Sequence, residues 1–169
     1  NVNYITMSFK VGQGYDVHAL DVPGSASAIR LGGTDIPFDR AIIAHSDGDV
    51  LIHALCDAIL GALAIGDIGS HFPDSDAAYT GIDSRKLLVN VAERARSMGY
   101  IVANADTTVI AERPKLAPFV EQIRAVLATD LAVDPGCVSV KATTTERLGF
   151  IGRGEGIAAQ AIVLLRPSS

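Results

Sequence analysis

Three residues of this sequence, Asp16, His18 and His53, have the chemistry and spacing to hold a metal ion. Asp16 and His18 are two residues apart, and in an extended chain such side chains point to the same side. His53 lies on a predicted helix that can present its imidazole to the same ion. Two histidines and one carboxylate, with an open fourth position, are the usual pattern of a catalytic zinc site. The spacing also fits structural histidines, so the residues alone leave both interpretations open.

Two acidic residues, Asp49 and Asp57, lie four residues before and after His53. On a helix all three share one face, so either carboxylate can hold the imidazole in one tautomer. Asp49 also has a simpler interpretation, because Ser46 followed three residues later by an acidic residue is typical of a helix start. We therefore expect a helix over residues 46–63 that carries His53.

A second candidate site follows a predicted strand at residues 143–147, Thr-Thr-Thr-Glu-Arg. Its hydroxyl and backbone N–H groups can hold phosphate oxygens, and Glu146 can bind a hard cation such as Mg²⁺. A helix N-terminus with a capping threonine explains the same residues. Residues 152–156, Gly-Arg-Gly-Glu-Gly, need unusual backbone angles, so they form a tight turn or display Arg153 and Glu155. Residues 113–116, Arg-Pro-Lys-Leu, predict a turn that either reads a base edge or only connects two elements.

The composition excludes several classes of function. The 169 residues include 14 Lys and Arg against 19 Asp and Glu, a net charge of −5, so no basic nucleic-acid-binding surface is expected. No apolar run approaches the ~18 residues of a membrane span, and no secretory signal is visible. The two cysteines form no CxxC pair, which favours a cytoplasmic protein. Residues 12–14, Gly-Gln-Gly, lack the third glycine of a dinucleotide fingerprint, and no P-loop occurs.

The elements that must position the candidate residues follow from the hydrophobic periodicity. It predicts strands over 8–14, 28–32, 100–111, 137–142 and 157–165 and helices over 46–63, 84–98 and 118–131. We expect an α/β (α+β) fold, a mixed four-stranded sheet with helices on one face. Strand 157–165 is nearly all apolar, which predicts a central position and burial on both faces. The long polar segment 66–81 is predicted to be a functional loop.

Several motifs together resemble the family of 2-C-methyl-D-erythritol 2,4-cyclodiphosphate synthases. They are Gly-Tyr-Asp-Val-His at 14–18, His-Ser-Asp-Gly-Asp-Val at 45–50 with His53, Gly-Asp-Ile-Gly at 66–69 with Phe-Pro-Asp-Ser-Asp at 72–76, Arg-Pro-Lys-Leu at 113–116, and the segment 141–156. The resemblance extends over residues 7–165, in the family's order. Two departures stand out: segment 21–28 is longer than the usual turn, and Arg147 stands where the family often has lysine.

The resemblance implies a reaction of the non-mevalonate isoprenoid pathway. The family converts 4-diphosphocytidyl-2-C-methyl-D-erythritol 2-phosphate to the 2,4-cyclodiphosphate and releases CMP. The 2-phosphate attacks the phosphorus nearer the erythritol. The implied enzyme is a bacterial cytoplasmic homotrimer with three active sites between adjacent subunits. Residues 7–166 form a single synthase domain in this interpretation, and residues 1–6 are an N-terminal extension or a cloning remnant.

The resemblance also implies roles for individual residues. Asp16, His18 and His53 match the zinc ligands, Glu146 the residue near a second ion, Mg²⁺ or Mn²⁺, and His45 and Thr144 the residues that stabilise the transition state. Phe150 and Arg153 match positions at the trimer axis, where the family can hold an isoprenoid diphosphate. The substrate-binding positions are Asp16, Val17, His18, His45, Ser46, Asp67, Ile68, Gly69, Phe72, Pro73, Asp74, Ser75, Asp76, Ala111, Glu112, Arg113, Pro114, Lys115, Leu116, Ala117, Thr143, Thr144, Thr145, Glu146, Phe150 and Arg153.

Two other functions use the same residues. A zinc-dependent phosphohydrolase with a metal-bound water needs the same three ligands. A non-catalytic trimer that binds metal or isoprenoid diphosphate needs no turnover. The identity of the reaction product distinguishes the first, and the effect of replacing His53 distinguishes the second.

Overall fold

The main sheet of the computed structural model has five strands, and the structure describes residues 8–73, 76 and 79–168. In sheet order the strands are β4 (Ile42–Ile43), β1 (Lys10–Leu20), β7 (Gly156–Pro167), β5 (Tyr100–Ile110) and β6 (Val138–Thr143). Among these five described strands, only the neighbours β5 and β6 run parallel. The mixed sheet is therefore confirmed, but the prediction of four strands is wrong.

The fifth strand escaped the sequence pattern because it is only two residues long. Ile42 and Ile43 pair with Leu20 and Ala19 at the end of β1, and two residues cannot display an alternation. A separate hairpin, β2 (Ala28–Leu31) with β3 (Thr34–Pro37), lies outside the main sheet. The predicted strand 28–32 is thus real, although its partner β3 was not predicted.

β1 continues well beyond the predicted segment 8–14. It pairs with β7 from Lys10 to Ala19, in a register that sets Asp16 opposite Ala159 and His18 opposite Ile157. Asp16 and His18 therefore lie within a strand rather than after it. Their side chains share one face, as the two-residue spacing predicts.

The α-helices of the described residues are α1 (Val50–Leu63), α2 (Ile68–His71), α3 (Ser84–Ser97), α4 (Val120–Leu131) and α5 (Gly149–Gly152). α1 begins later than predicted because Asp49, not Ser46, is its N-cap: the Asp49 carboxylate accepts a hydrogen bond from the Ile52 N–H at 3.1 Å. A 3₁₀ turn, Ala117–Phe119, precedes α4, and another, Pro135–Cys137, precedes β6. Within the described ranges, no helix is long and apolar enough to cross a membrane.

Two glycines let α1 lie directly on the backbone of β1. A Cβ atom at Gly12 would stand 1.8 Å from the Ala58 carbonyl oxygen, and one at Gly14 would stand 1.9 Å from that of Ala54. Any side chain at either position would push the helix away from the strand. The Gly-Gln-Gly segment therefore allows close packing of α1 on β1, and this packing brings His53 over the strand that carries Asp16 and His18.

The opposite face of the sheet is exposed in the single chain. Val11 is 68% exposed, Tyr15 46%, Val17 41% and, on the central strand β7, Ile162 51%. The predicted burial of strand 157–165 on both faces is therefore wrong for the single chain, although the central position of β7 is confirmed. This patch of apolar side chains (Val11, Tyr15, Val17 and Ile162) is called the open sheet face below.

Candidate active site

The donor atoms of Asp16, His18 and His53 converge on one point. Asp16 Oδ2 lies 2.9 Å from His53 Nδ1 and 3.1 Å from His18 Nε2, and the two imidazole nitrogens are 3.1 Å apart. A tetrahedral zinc ion with bonds of about 2.0–2.1 Å separates its donors by about 3.3 Å. The donor set therefore fits such an ion after each atom moves outward by a few tenths of an ångström. Among the described residues, Asp16, His18 and His53 form a group of His and acidic side chains close enough together to hold a metal ion.

The protonation of the triad follows from its geometry. Burial would raise the pKa of the Asp16 carboxyl, but hydrogen bonds and positive charge from His18 and His53 hold it well below its usual range. Burial would lower the pKa of His53, and the Asp16 carboxylate raises it instead. Binding of a metal ion to His53 therefore competes with binding of a proton.

The tautomer of His53 is set by Ser84 and Asp47, two residues to which the sequence assigned no role. His53 Nε2 lies 2.9 Å from the Ser84 hydroxyl, which in turn donates to the Asp47 carboxylate. Asp47 also accepts from the Ser84 N–H at 3.0 Å, and the Ser46 hydroxyl lies 3.3 Å from Nε2. Because the Ser84 proton is used on Asp47, Nε2 must be the donor to Ser84. Nδ1 therefore keeps its lone pair for the metal position.

Asp49 and Asp57, the two carboxylates that the sequence suggested for orienting His53, form hydrogen bonds elsewhere. Asp49 accepts from the N–H groups of Gly32 at 2.9 Å, Gly33 at 2.6 Å and Ile52. Complete burial raises its pKa despite these bonds. Asp57 accepts from the Ile68 N–H at 2.7 Å and so ties α1 to α2. The hypothesis that either residue orients His53 is wrong, because the histidine ring turns Nε2 toward α3 instead.

A cavity of about 370 Å³ opens beside the triad. Of the predicted residues near the triad, His45, Ser46, Ile68, Gly69 and Phe72 line it. Ile68 and Gly69 belong to α2, so the prediction that the whole of 66–81 is a loop is wrong. Sequence reasoning missed the apolar side of its wall, formed by Ile43, Tyr79, Ile82 and Leu87. Phe72 packs edge-on against Tyr79 at 5.5 Å between ring centres. No motif marks these residues, because any apolar side chain of suitable size can form such a wall.

A second cavity, of about 300 Å³, holds the other predicted half of the site. Its wall consists of Ala111, Pro114, Lys115, Leu116, Ala117, Ala142, Thr143, Thr144 and Glu146. Thr144 donates to the Glu146 carboxylate at 2.9 Å. Among the described residues, none lines both cavities. One chain therefore brings together each half of the predicted site but does not join the halves.

The turn after β6 is not a threonine-capped helix N-terminus. α5 begins at Gly149 with Leu148 as its N-cap, and none of the described side chains caps it. Glu146 and Arg147 instead adopt left-handed angles, with φ of 53° and 66°. In the segment 152–156, Gly154 has a φ of 70° and Arg153 pairs with Glu155 at 2.7 Å, so the turn and the displayed side chains are both present.

The remaining predicted residues lie outside the two cavities. Val17 belongs to the open sheet face, and Asp67 accepts from the Ser70 N–H at 2.8 Å as the N-cap of α2. Pro73, Asp76 and Phe150 are exposed. Glu112, Arg113 and Arg153 line a third cavity of about 260 Å³, and the Glu112 carboxylate contacts Thr145. Asp74, Ser75 and residues 1–6 lie outside the described part of the chain.

Comparison with known proteins assigns the family. A model of the YgbB family matches residues 9–166. The chain belongs to the YgbB family. It is 60% identical over 158 residues to the 2-C-methyl-D-erythritol 2,4-cyclodiphosphate synthase of Thioalkalivibrio sulfidiphilus, a match covering 94% of this chain and 97% of that protein. It is 57% identical to the synthase of the same name from Geobacter metallireducens, covering 92% and 98%.

Solved structures of this YgbB family member's relatives share its fold. A CDP complex of IspF from Plasmodium falciparum superposes with a TM-score of 0.84 at 34% identity, covering 96% of this chain and 98% of the other. The bifunctional IspDF from Campylobacter jejuni gives a TM-score of 0.90 at 40% identity. That match covers 96% of this chain and 43% of the longer bifunctional protein.

Proposed function

We infer that this chain is a 2-C-methyl-D-erythritol 2,4-cyclodiphosphate synthase, a lyase of the non-mevalonate isoprenoid pathway. It converts 4-diphosphocytidyl-2-C-methyl-D-erythritol 2-phosphate to the cyclic diphosphate and releases CMP. The observation that carries this function is the convergence of Asp16, His18 and His53 on a cavity wall in a chain 60% identical to a synthase over nearly its whole length. The phosphohydrolase and the non-catalytic trimer have no support among the relatives.

We propose that the triad holds Zn²⁺ and that Glu146 holds Mg²⁺ or Mn²⁺. Bound cations neutralise phosphate oxygens and stabilise charge on a leaving phosphate. Asp16 supplies the negative ligand, and the two histidines supply neutral nitrogens. The Asp16 and His18 side chains remain 24% and 19% exposed, so the site keeps an open side toward the cavity. Because cations lie where the phosphates bind, a net charge of −5 is compatible with an anionic substrate.

The chain's own groups position the reactants. Phosphoryl transfer depends on alignment and charge neutralisation more than on covalent help, and the attacking 2-phosphate is already an anion. We propose that His45 and Ser46 bind phosphate beside the triad, with His45 and Thr144 stabilising the transition state. Asp67 holds the erythritol hydroxyls, and the segments 68–69 and 72–76 that follow it hold the rest of the methylerythritol phosphate. The wall formed by Ala111 and 114–117 accepts the cytidine, with Lys115 near its phosphates.

We propose that the active enzyme is a homotrimer whose active sites lie between subunits. Two observations support it: the half-sites occupy different cavities of one chain, and the open sheet face exposes apolar side chains that an assembly would cover. An isoprenoid diphosphate at the axis, near Phe150 and Arg153, belongs to the same proposal. So do a single domain over residues 7–166 and a cytoplasmic location, which the two free cysteines support.

Product analysis tests the function. Incubation with the cytidyl substrate, followed by ³¹P NMR and nucleotide chromatography, should yield CMP and a cyclic diphosphate in equal amounts. Release of inorganic phosphate would indicate the phosphohydrolase instead. Unchanged turnover in His53→Ala would indicate that the metal centre is not catalytic.

A further inference from the structure

Glu112 makes a set of contacts that binding of cytidine does not explain. Its Oε1 accepts from the Thr145 N–H at 3.0 Å and from the Arg147 N–H at 3.1 Å, and the Thr145 hydroxyl lies 3.2 Å away. The N–H of Arg147, followed by that of Thr145, lowers the pKa of Glu112 despite some desolvation. The ionised carboxylate thus faces the turn after β6. It does not line the cavity formed by 114–117, Thr144 and Glu146.

The topology of the sheet makes this contact possible. β5 and β6 are parallel neighbours, with Ile110 opposite Thr143, so their carboxyl ends meet at one edge. The Ala111 N–H extends the pairing by donating to the Thr143 carbonyl at 3.0 Å. Glu112, the next residue, therefore reaches the turn at residues 144–147 from the adjacent strand end.

The turn at 144–147 has a strained backbone that a hydrogen-bond acceptor such as the Glu112 carboxylate stabilises. Glu146 and Arg147 are consecutive non-glycine residues in the left-handed region, which side chains disfavour. On another side, a Cβ atom at Gly152 would stand 2.1 Å from the Arg147 carbonyl carbon. The turn is thus held between the Glu112 carboxylate and the closely packed backbone of α5.

The turn presents two groups to the cavity. The Glu146 N–H donates to the Thr144 hydroxyl at 3.2 Å, and that hydroxyl donates to the Glu146 carboxylate. We propose that Glu112 is a positioning residue that fixes this turn, so that Thr144 and Glu146 face the substrate diphosphate and its cation. This proposal rests on the function and roles proposed above, and it gives Glu112 no contact with the cytidine.

Two matched substitutions separate the effect of the length of the Glu112 side chain from the effect of its negative charge. Glu112→Gln keeps a carbonyl oxygen at the position of Oε1 but loses the negative charge. Glu112→Asp keeps the charge but withdraws it by about one C–C bond, roughly 1.5 Å. If the carboxylate acts by accepting the turn's N–H groups, the glutamine variant should resemble the wild type and the aspartate variant should not. An electrostatic role predicts the opposite order.

The experiment measures kcat, KM, the Mn²⁺ concentration for half-maximal CMP release, and CMP affinity by calorimetry without divalent metal. For Glu112→Asp and Glu112→Ala we expect kcat to fall about tenfold or more and the Mn²⁺ requirement to rise about tenfold, as for the loss of groups that orient ligands. CMP affinity should stay within about twofold, and Glu112→Gln should stay within about threefold of wild type on every measure.

Three outcomes would overturn the proposal. They are a loss of CMP affinity as large as the loss of kcat, a glutamine variant as impaired as the aspartate variant, and an alanine variant that matches the wild type. Thermal melting of each variant shows whether it is folded, and the glutamine–aspartate comparison decides the question if the alanine variant is not. Wild-type CMP release is measured first, so a failure of the function itself is recognised separately.

Discussion

The contact between β1 and α1 at Gly14 links the stability of the fold to the zinc affinity proposed for the triad. Gly14→Ala would place a methyl carbon 1.9 Å from the Ala54 carbonyl oxygen, where ordinary contact begins near 3.4 Å. The strand and helix must therefore separate locally by about 1.5 Å, since neither atom belongs to a flexible side chain. Ala54 directly follows His53, so the same displacement moves His53 Nδ1 away from Asp16.

The magnitude follows from two effects. Overpacking a tight contact costs about 1–3 kcal/mol of unfolding free energy, and a backbone-to-backbone clash belongs at or above the upper end. The donor atoms of the triad are now 2.9–3.1 Å apart, so a displacement of about 1.5 Å removes His53 from a shared ion. Loss of a single group that only orients a ligand already lowers metal affinity about 10- to 100-fold, and we expect displacement of a ligand itself to lower zinc affinity by at least about a hundredfold.

Urea unfolding and zinc competition against a chromophoric chelator measure the two effects. Gly61→Ala is the matched control: it lies on α1, and its Cβ would meet only the Gln13 carbonyl oxygen at 3.9 Å. That substitution should raise stability by about 0.5–1 kcal/mol through helix propensity and leave zinc affinity unchanged. A Gly14→Ala protein with wild-type stability and zinc affinity would refute the reasoning.

Three further predictions follow from the contacts of His53 and of the buried carboxylate at Asp130. Ser84→Ala removes the acceptor of His53 Nε2 and should weaken zinc binding about tenfold in the same competition assay; unchanged affinity would show that Ser84 does not orient the ring. Because the pKa of His53 is raised in the metal-free protein, zinc competes with a proton for this side chain. Zinc affinity measured by titration calorimetry should therefore fall as the pH drops through that raised pKa and should level off above it. A zinc affinity that stays constant from pH 5 to 9 would contradict this. The Arg85 guanidinium donates two hydrogen bonds to the Asp130 carboxylate, whose side chain is only 5% exposed. Arg85→Met should therefore lower the free energy of unfolding in urea by about 1–3 kcal/mol. Arg124→Met, at an exposed ion pair, should lower it by less than about 1 kcal/mol.

Sequence reasoning found the converging donor atoms because local geometry constrains two of the three residues that carry them. The two-residue spacing of Asp16 and His18 on one strand fixes a common face regardless of the rest of the fold. The position of His53 relative to that face depends on how closely α1 approaches β1, which Gly12 and Gly14 determine. Those glycines were visible in the sequence, but a packing role for them could not be inferred before the partner helix was known.

The features that sequence reasoning missed are ones that only tertiary contacts reveal. Ser84 is 31 residues from His53, and a serine or an aspartate near a helix start is usually a cap. The strand β4 is too short to show a pattern. The separation of the two half-sites was implied only by resemblance, because spacing along one chain does not show which cavity each residue lines.

The most direct test of metal-dependent synthase activity measures CMP release by metal-stripped protein to which zinc and magnesium are added singly and together. The triad of Asp16, His18 and His53 predicts no turnover after complete metal removal, and recovery of CMP and the cyclic diphosphate when both ions return. His53→Ala should not recover under the same conditions. Appreciable CMP release from the fully stripped wild-type protein would contradict a metal-dependent synthase.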